Sequence, residues 1–182
     1  MIAPPLPPLR LRNQLADAIL AALHDPEARR TLARVAWDDE VAGRWLAPDE
    51  SVHLGVIRAR AQHASAALAA APLHSSSRNL QAALDAAALL FDAGLFFETH
   101  EVLEPHWRQA SGETREALQG LIQIAVGYQH WVNRNAKGAR TLLAEGVARV
   151  TGRRLRGIGL DEFGEAVAEA NRQAAGGVSP IV

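Results

Sequence analysis

His100 and Glu104 stand four residues apart in the stretch Gly94–Trp107, GLFFETHEVLEPHW. On a helix, which turns about 100° per residue, that spacing puts an imidazole and a carboxylate one turn apart on one face. Phe96, His100, Leu103 and Trp107 share a stripe, with Glu104 at its edge and Glu101 further round the same side. A histidine within an apolar stripe and flanked by acids is a natural half-site for a divalent metal ion, which takes nitrogen and oxygen donors together. Glu101 and Glu98 on the same helix are further candidate ligands, as is His130 on a second helix packed antiparallel. Facing helices of a bundle build such sites from side chains directed inward. The competing reading is a clasp, in which the His–Glu pair fixes core packing and coordinates nothing.

The second helix is Ala117–Asn133, ALQGLIQIAVGYQHWVN, which carries no formal charge with His counted as neutral. It is too short and too rich in glutamine for a membrane span, so burial nearly all round is the better reading. Leu121, Ile124, Tyr128 and Trp131 form its apolar face, and Gln119, Gln123 and His130 align on another. Buried amides need partners, because an unpaired one costs about 1–3 kcal/mol. His100, Glu101 and Glu104 are the expected partners, which makes Gln119 and Gln123 candidates to orient metal ligands. Gly120 and Gly127 lower helix propensity, and close approach of a neighbouring helix is the expected return.

Around these two helices the pattern is helical throughout. A Pro-rich arm at Ala3–Pro8 precedes a helix from Leu9 to Leu23, and Asp25-Pro26 caps and starts the next. A short piece over Trp37–Leu46 follows, and Asp49 or Ser51 caps a longer helix reaching about Ala71. PLHSSS, Pro72–Ser77, is the best linker. Leu80, Leu84, Ala87, Ala88 and Phe91 mark a helix ending at Gly94 in the C′ position, and Pro105 removes one backbone donor near the end of the helix after it. Beyond the turn at 133–138, helices are expected near Ala139–Val150 and around Phe163–Ala170, with a loose GGVSPIV tail. No strand-like alternation is visible. The expectation is an all-α helical bundle with an N-terminal helical extension at 1–77, a core domain at 78–151, and a C-terminal helix and tail at 152–182.

The 182 residues carry a formal net charge of −1 and no cysteine. Disulfides and thiolate zinc sites are thereby excluded, and the charge balance argues against a general nucleic-acid or membrane-surface binder. Neither a Gly-x-Ser-x-Gly elbow nor a Gly-rich phosphate loop is present. MIAPPLPPLRLR lacks signal-peptide features, so a cytoplasmic location is expected, with homo-oligomers left open. His24, His53, His63 and His74 are expected at the surface, His106 lies across the helix from His100, and Arg153, Arg154 and Arg156 read as a solvated helix end.

LFDAGLFFETHEVLEPHW, QGLIQIAVGYQH and NAKGARTLL, in that order and spacing, resemble the bacterial and archaeal domain-of-unknown-function family numbered 309, over roughly Leu80 to Val150. The family's His-x-x-x-Glu-x-x-(Trp or Tyr) motif falls on His100, Glu104 and Trp107. The resemblance implies a small all-α bundle and a suggested metal site of unknown metal and reaction. Two functions are therefore expected in competition. One is a metal-binding protein, hydrolytic if it is an enzyme, with Glu101 and His130 as ligands or proton carriers. The other is a non-enzymatic interaction or scaffold module in which the His/Glu/Gln layer is structural.

Overall fold

The computed structural model describes residues 6–73 and 79–175 and is all-α apart from one minimal hairpin. The first residues of the Pro-rich arm, most of the 72–77 linker with His74, and the tail from Gly176 lie outside the described residues. Contacts divide the chain into two compact units, residues 1–98 and 99–182.

In the first unit, α1 (Leu9–Ala22), α2 (Pro26–Trp37) and α4 (Leu54–Ala69) pack on one another, with α3 (Asp39–Gly43) beside α2 and α4. Leu11, Leu15 and Ile19 recur every four residues on α1 and are buried, against Leu32 and Val35 of α2 and Ile57, Ala61, Ala64 and Leu68 of α4. The helix ends are closed by side chains. Asp25 accepts from Glu27 N at 2.8 Å, with Pro26 opening α2. Arg29 donates to the carbonyls of Ala22, Ala71 and Pro72 and so holds the ends of α1 and α4. Arg58 and Gln62 of α4 both donate to the Ala36 carbonyl in the last turn of α2. α4 does not begin at a cap on Asp49 or Ser51; a 3-10 turn, Pro48–His53, leads into it. That turn buries His53, expected at the surface, and leaves its Nδ1 without a hydrogen-bond partner among the described residues.

α5 (Leu80–Asp92) ends as its sequence demands. Gly94 takes φ +69°, Gly94 N bonds Phe91 O, and Leu95 N bonds Leu90 O at 2.8 Å, which is a Schellman closure. α6 (Phe96–Gln109) starts immediately after and carries the unit boundary in its first turn.

In the second unit, α7 (Gly112–Val132) packs along α8 (Ala136–Val150), and α8 packs on α9 (Asp161–Ala175). None of residues 117–131 is exposed, as the uncharged sequence predicts. Small residues set the α7–α8 distance. A Cβ on Gly120 would lie 2.9 Å from Gly146 O and 2.7 Å from Val150 Cγ1, and one on Gly127 would lie 2.8 Å from Leu143 Cδ2. Between α8 and α9, Arg154–Leu155 and Ile158–Gly159 pair antiparallel across a turn in which Arg156 (φ +51°) and Gly157 (φ +84°) are both left-handed. Two-residue strands are too short to show alternation, which is why the sequence reading held no strand. No helix among the described residues is long and apolar enough to cross a membrane.

The packing predicts opposite signs for one substitution type. Gly120→Ala and Gly146→Ala should each lower stability by about 1–3 kcal/mol in urea unfolding, since backbone and side chains must move apart. Gly55→Ala, whose Cβ meets nothing within 4 Å, should be neutral or stabilising by up to about 1 kcal/mol.

Candidate metal centre

α6 is a helix that presents its chemistry at one-turn spacing. Glu98 lies in its first turn, and His106 and Arg108 in its last, which suits the helix dipole. Pro105 sits inside the assigned helix, which nevertheless runs on to Gln109. Having no N–H, Pro105 supplies no hydrogen bond to the Glu101 carbonyl one turn back.

His100, Glu101 and Glu104 offer ligand atoms that all lie within 4.8 Å of one another. The two acids address opposite edges of the ring. Glu101 Oε1 is 3.1 Å from His100 Nδ1, and Glu104 Oε2 is 4.0 Å from Nε2. The other oxygen of Glu104 accepts from Arg108 Nη2 at 2.8 Å. The three side chains are 23%, 35% and 26% exposed, so the cluster is half-buried and reachable from solvent. Two donors on one ion at about 2.0–2.2 Å stand at most about 4.4 Å apart, and the Nε2–Oε2 separation of 4.0 Å falls inside that limit.

The other candidates are placed differently. Glu98, only 1% exposed, belongs to the first unit, where Arg60 Nη2 contacts both its oxygens at 2.9 and 3.0 Å. His130 Nδ1 lies 2.7 Å from Asn135 Nδ2 at the start of α8, and Asn135 Oδ1 in turn accepts from Gly138 N. Gln123 Nε2 donates to Glu145 Oε2 of α8 at 2.9 Å, while Gln123 Oε1 is buried without a partner among the described residues. Gln123 and His130 therefore find these bonds on α8 and its entry turn, not on α6. Gln119 is half-buried. Of the arginine cluster, Arg153 is not free in solvent: its Nε is 3.1 Å from Glu113 and its Nη1 donates to Arg149 O.

Sequence reasoning missed Arg115. Its guanidinium lies 4.1 Å from the Trp107 ring centroid, and its Nη1 donates to the Trp107 carbonyl at 2.8 Å. One residue of α7 thus covers the motif tryptophan and closes a carbonyl in the last turn of α6. Trp107 Nε1 is buried with no acceptor among the described residues, so the ring is held by stacking and packing. A flat cation one turn into α7 is the signal available in the sequence. Arg115→Ala should cost about 1–3 kcal/mol in urea unfolding. Arg115→Lys should recover less than half of it, because an ammonium neither stacks nor forks.

Comparison with known proteins bears out the resemblance. The uncharacterized protein YpuF of Bacillus subtilis (strain 168) is 33% identical over 69 residues, 36% of this chain and 40% of that protein. The chain thus spans less than half the length of this relative. No solved structure matches it. Residues 84–142, which include His100, Glu104, Trp107 and Arg115, match the family described as a domain of unknown function (DUF309).

Proposed function

We propose that the second unit binds a divalent metal ion through His100 Nε2 and Glu104, with Glu101 orienting the imidazole. The observation that carries this is the 4.0 Å approach of Glu104 Oε2 to His100 Nε2 on a half-buried face, with Glu101 at the other ring nitrogen. The division of labour follows from the ring. A carboxylate 3.1 Å from Nδ1 keeps the proton on that nitrogen and leaves Nε2 as the lone-pair donor. Glu104 adds an oxygen donor and a negative charge on the Nε2 side. Water completes a set that the protein supplies only in part, which is the open kind of site that permits catalysis. Such an ion, when bound, supplies Lewis acidity and a water of lowered pKa, the requirements of hydrolysis. Around it the chain's own residues hold the ring by Glu101 and steady Glu104 by Arg108.

A clasp is the second reading, and two contacts favour it. Glu104 already accepts from Arg108 and His100 already meets Glu101, so the cluster is internally compensated without an ion. The two readings separate under titration. Protein purified without chelator or affinity tag should hold or take up about one equivalent of divalent metal. His100→Ala and Glu104→Gln should abolish uptake while remaining folded, and Glu101→Gln should weaken it roughly ten- to hundredfold, as a lost orienting carboxylate does. No uptake by the parent, with lower melting temperatures in all three variants, would establish the clasp.

A further inference from the structure

Glu104 is shared between two neighbours. Its Oε2 faces His100 Nε2 at 4.0 Å, and its Oε1 accepts from Arg108 Nη2 at 2.8 Å. His100, Glu104 and Arg108 thus run down one side of α6 at successive four-residue steps, which a helix stacks turn on turn. The imidazole side and the guanidinium side are separated by the bite of a single carboxylate. Arg108 is 67% exposed, and Glu104 is its one hydrogen-bond partner among the described residues. Its Nε, its Nη1 and the second hydrogen of Nη2 are left without a protein acceptor there.

Without an ion this pair is balanced. Glu104 neutralises Arg108 one for one, and no anion is called for. A divalent ion changes the count. Glu101 and Glu104 bring two negative charges, Arg108 and the ion bring three positive, and His100 ligating through Nε2 is neutral. One positive charge is left over, beside coordination positions that the protein does not fill. Surplus charge next to an open position draws an anion that can offer an oxygen to each.

We infer that Arg108 is a substrate-binding residue of this same site, which presupposes the metal reading above. One oxygen of a small oxyanion, phosphoryl or carboxylate, takes the ion, and a second takes the Arg108 guanidinium. Glu104 sets the geometric precedent, because the two oxygens of one carboxylate already address both sides. A second carboxylate or a phosphoryl group has nearly the same oxygen-to-oxygen spacing and can span them in parallel. A guanidinium suits this role, since it keeps its charge and its planar fork can serve two oxygens at once. A neutral amide offers one oxygen and no charge, so it makes only half of the contact.

Methylphosphonate and acetate, with acetamide as the neutral counterpart, test this by isothermal titration on the full chain carrying one equivalent of its metal. The loaded parent should bind an oxyanion saturably at one site and acetamide about tenfold or more weakly, the usual worth of a charge-assisted hydrogen bond. The metal-free chain should bind the same oxyanion about tenfold or more weakly. Coupling is reciprocal, so the oxyanion should tighten metal uptake by the same factor. Arg108→Gln, loaded to the same one equivalent, should lose about tenfold or more in oxyanion affinity, and Arg108→Lys should recover only part of it. The tighter of the two ligands distinguishes phosphoryl from carboxylate substrates. No metal uptake by the parent would overturn the metal reading and this one together. Metal uptake without saturable oxyanion binding, equal binding by the metal-free chain, or parent-like binding by Arg108→Gln would overturn the role of Arg108 alone. So would an Arg108→Gln chain that fails to load, since Arg108 would then serve only Glu104.

Discussion

Everything in the second unit depends on how closely α7 can lie against α8. At Gly120 and Gly146 the two backbones come near enough that neither position has room for a methyl group. That approach forfeits helix propensity at each glycine, about 1 kcal/mol apiece, and gains continuous contact along both helices. It also determines where the polar groups of α7 go. With α8 so near, Gln123 reaches Glu145 and His130 reaches Asn135 at the entry to α8. The polar face of α7 is thereby spent largely on α8. On α6, His100, Glu101 and Glu104 lie against one another.

That separation simplifies the chemistry of α6. His100, Glu101 and Glu104 form a cluster built from one helix, with neighbours at i+1 and i+4 on the two edges of one ring. A cluster from a single helix cannot enclose an ion. It can present two donors and an orienting carboxylate toward solvent or substrate, and Arg115 on the Trp107 ring fixes the end of the helix that carries them. The first unit uses acid–base pairing differently: Glu98 is buried under Arg60.

What the sequence revealed and what it concealed follow from range. Asp25-Pro26 and Gly94 were legible because a cap or a left-handed residue is decided by its immediate neighbours. Gly120 and Gly127 pointed to a close helix without naming it, and the candidate ligands His100 and Glu104 were legible as a one-turn pair. The partners of Gln123, His130 and Glu98 were not, because they depend on helix rotation and on a residue 38 positions away. His53 was misread because a 3-10 turn, rather than a helix start, carries it inward. Arg115 was passed over because one cation in the first turns of a helix looks like any solvated charge until the aromatic ring beneath it is known.

The most direct test of the metal reading is an anomalous diffraction map, recorded at the absorption edge of the ion that the purified protein retains or takes up. The account predicts one peak about 2.0–2.2 Å from His100 Nε2 and from a Glu104 oxygen, with Glu101 remaining on Nδ1. A peak on Nδ1, a peak at other residues, or no peak from protein grown with the ion in excess would contradict it.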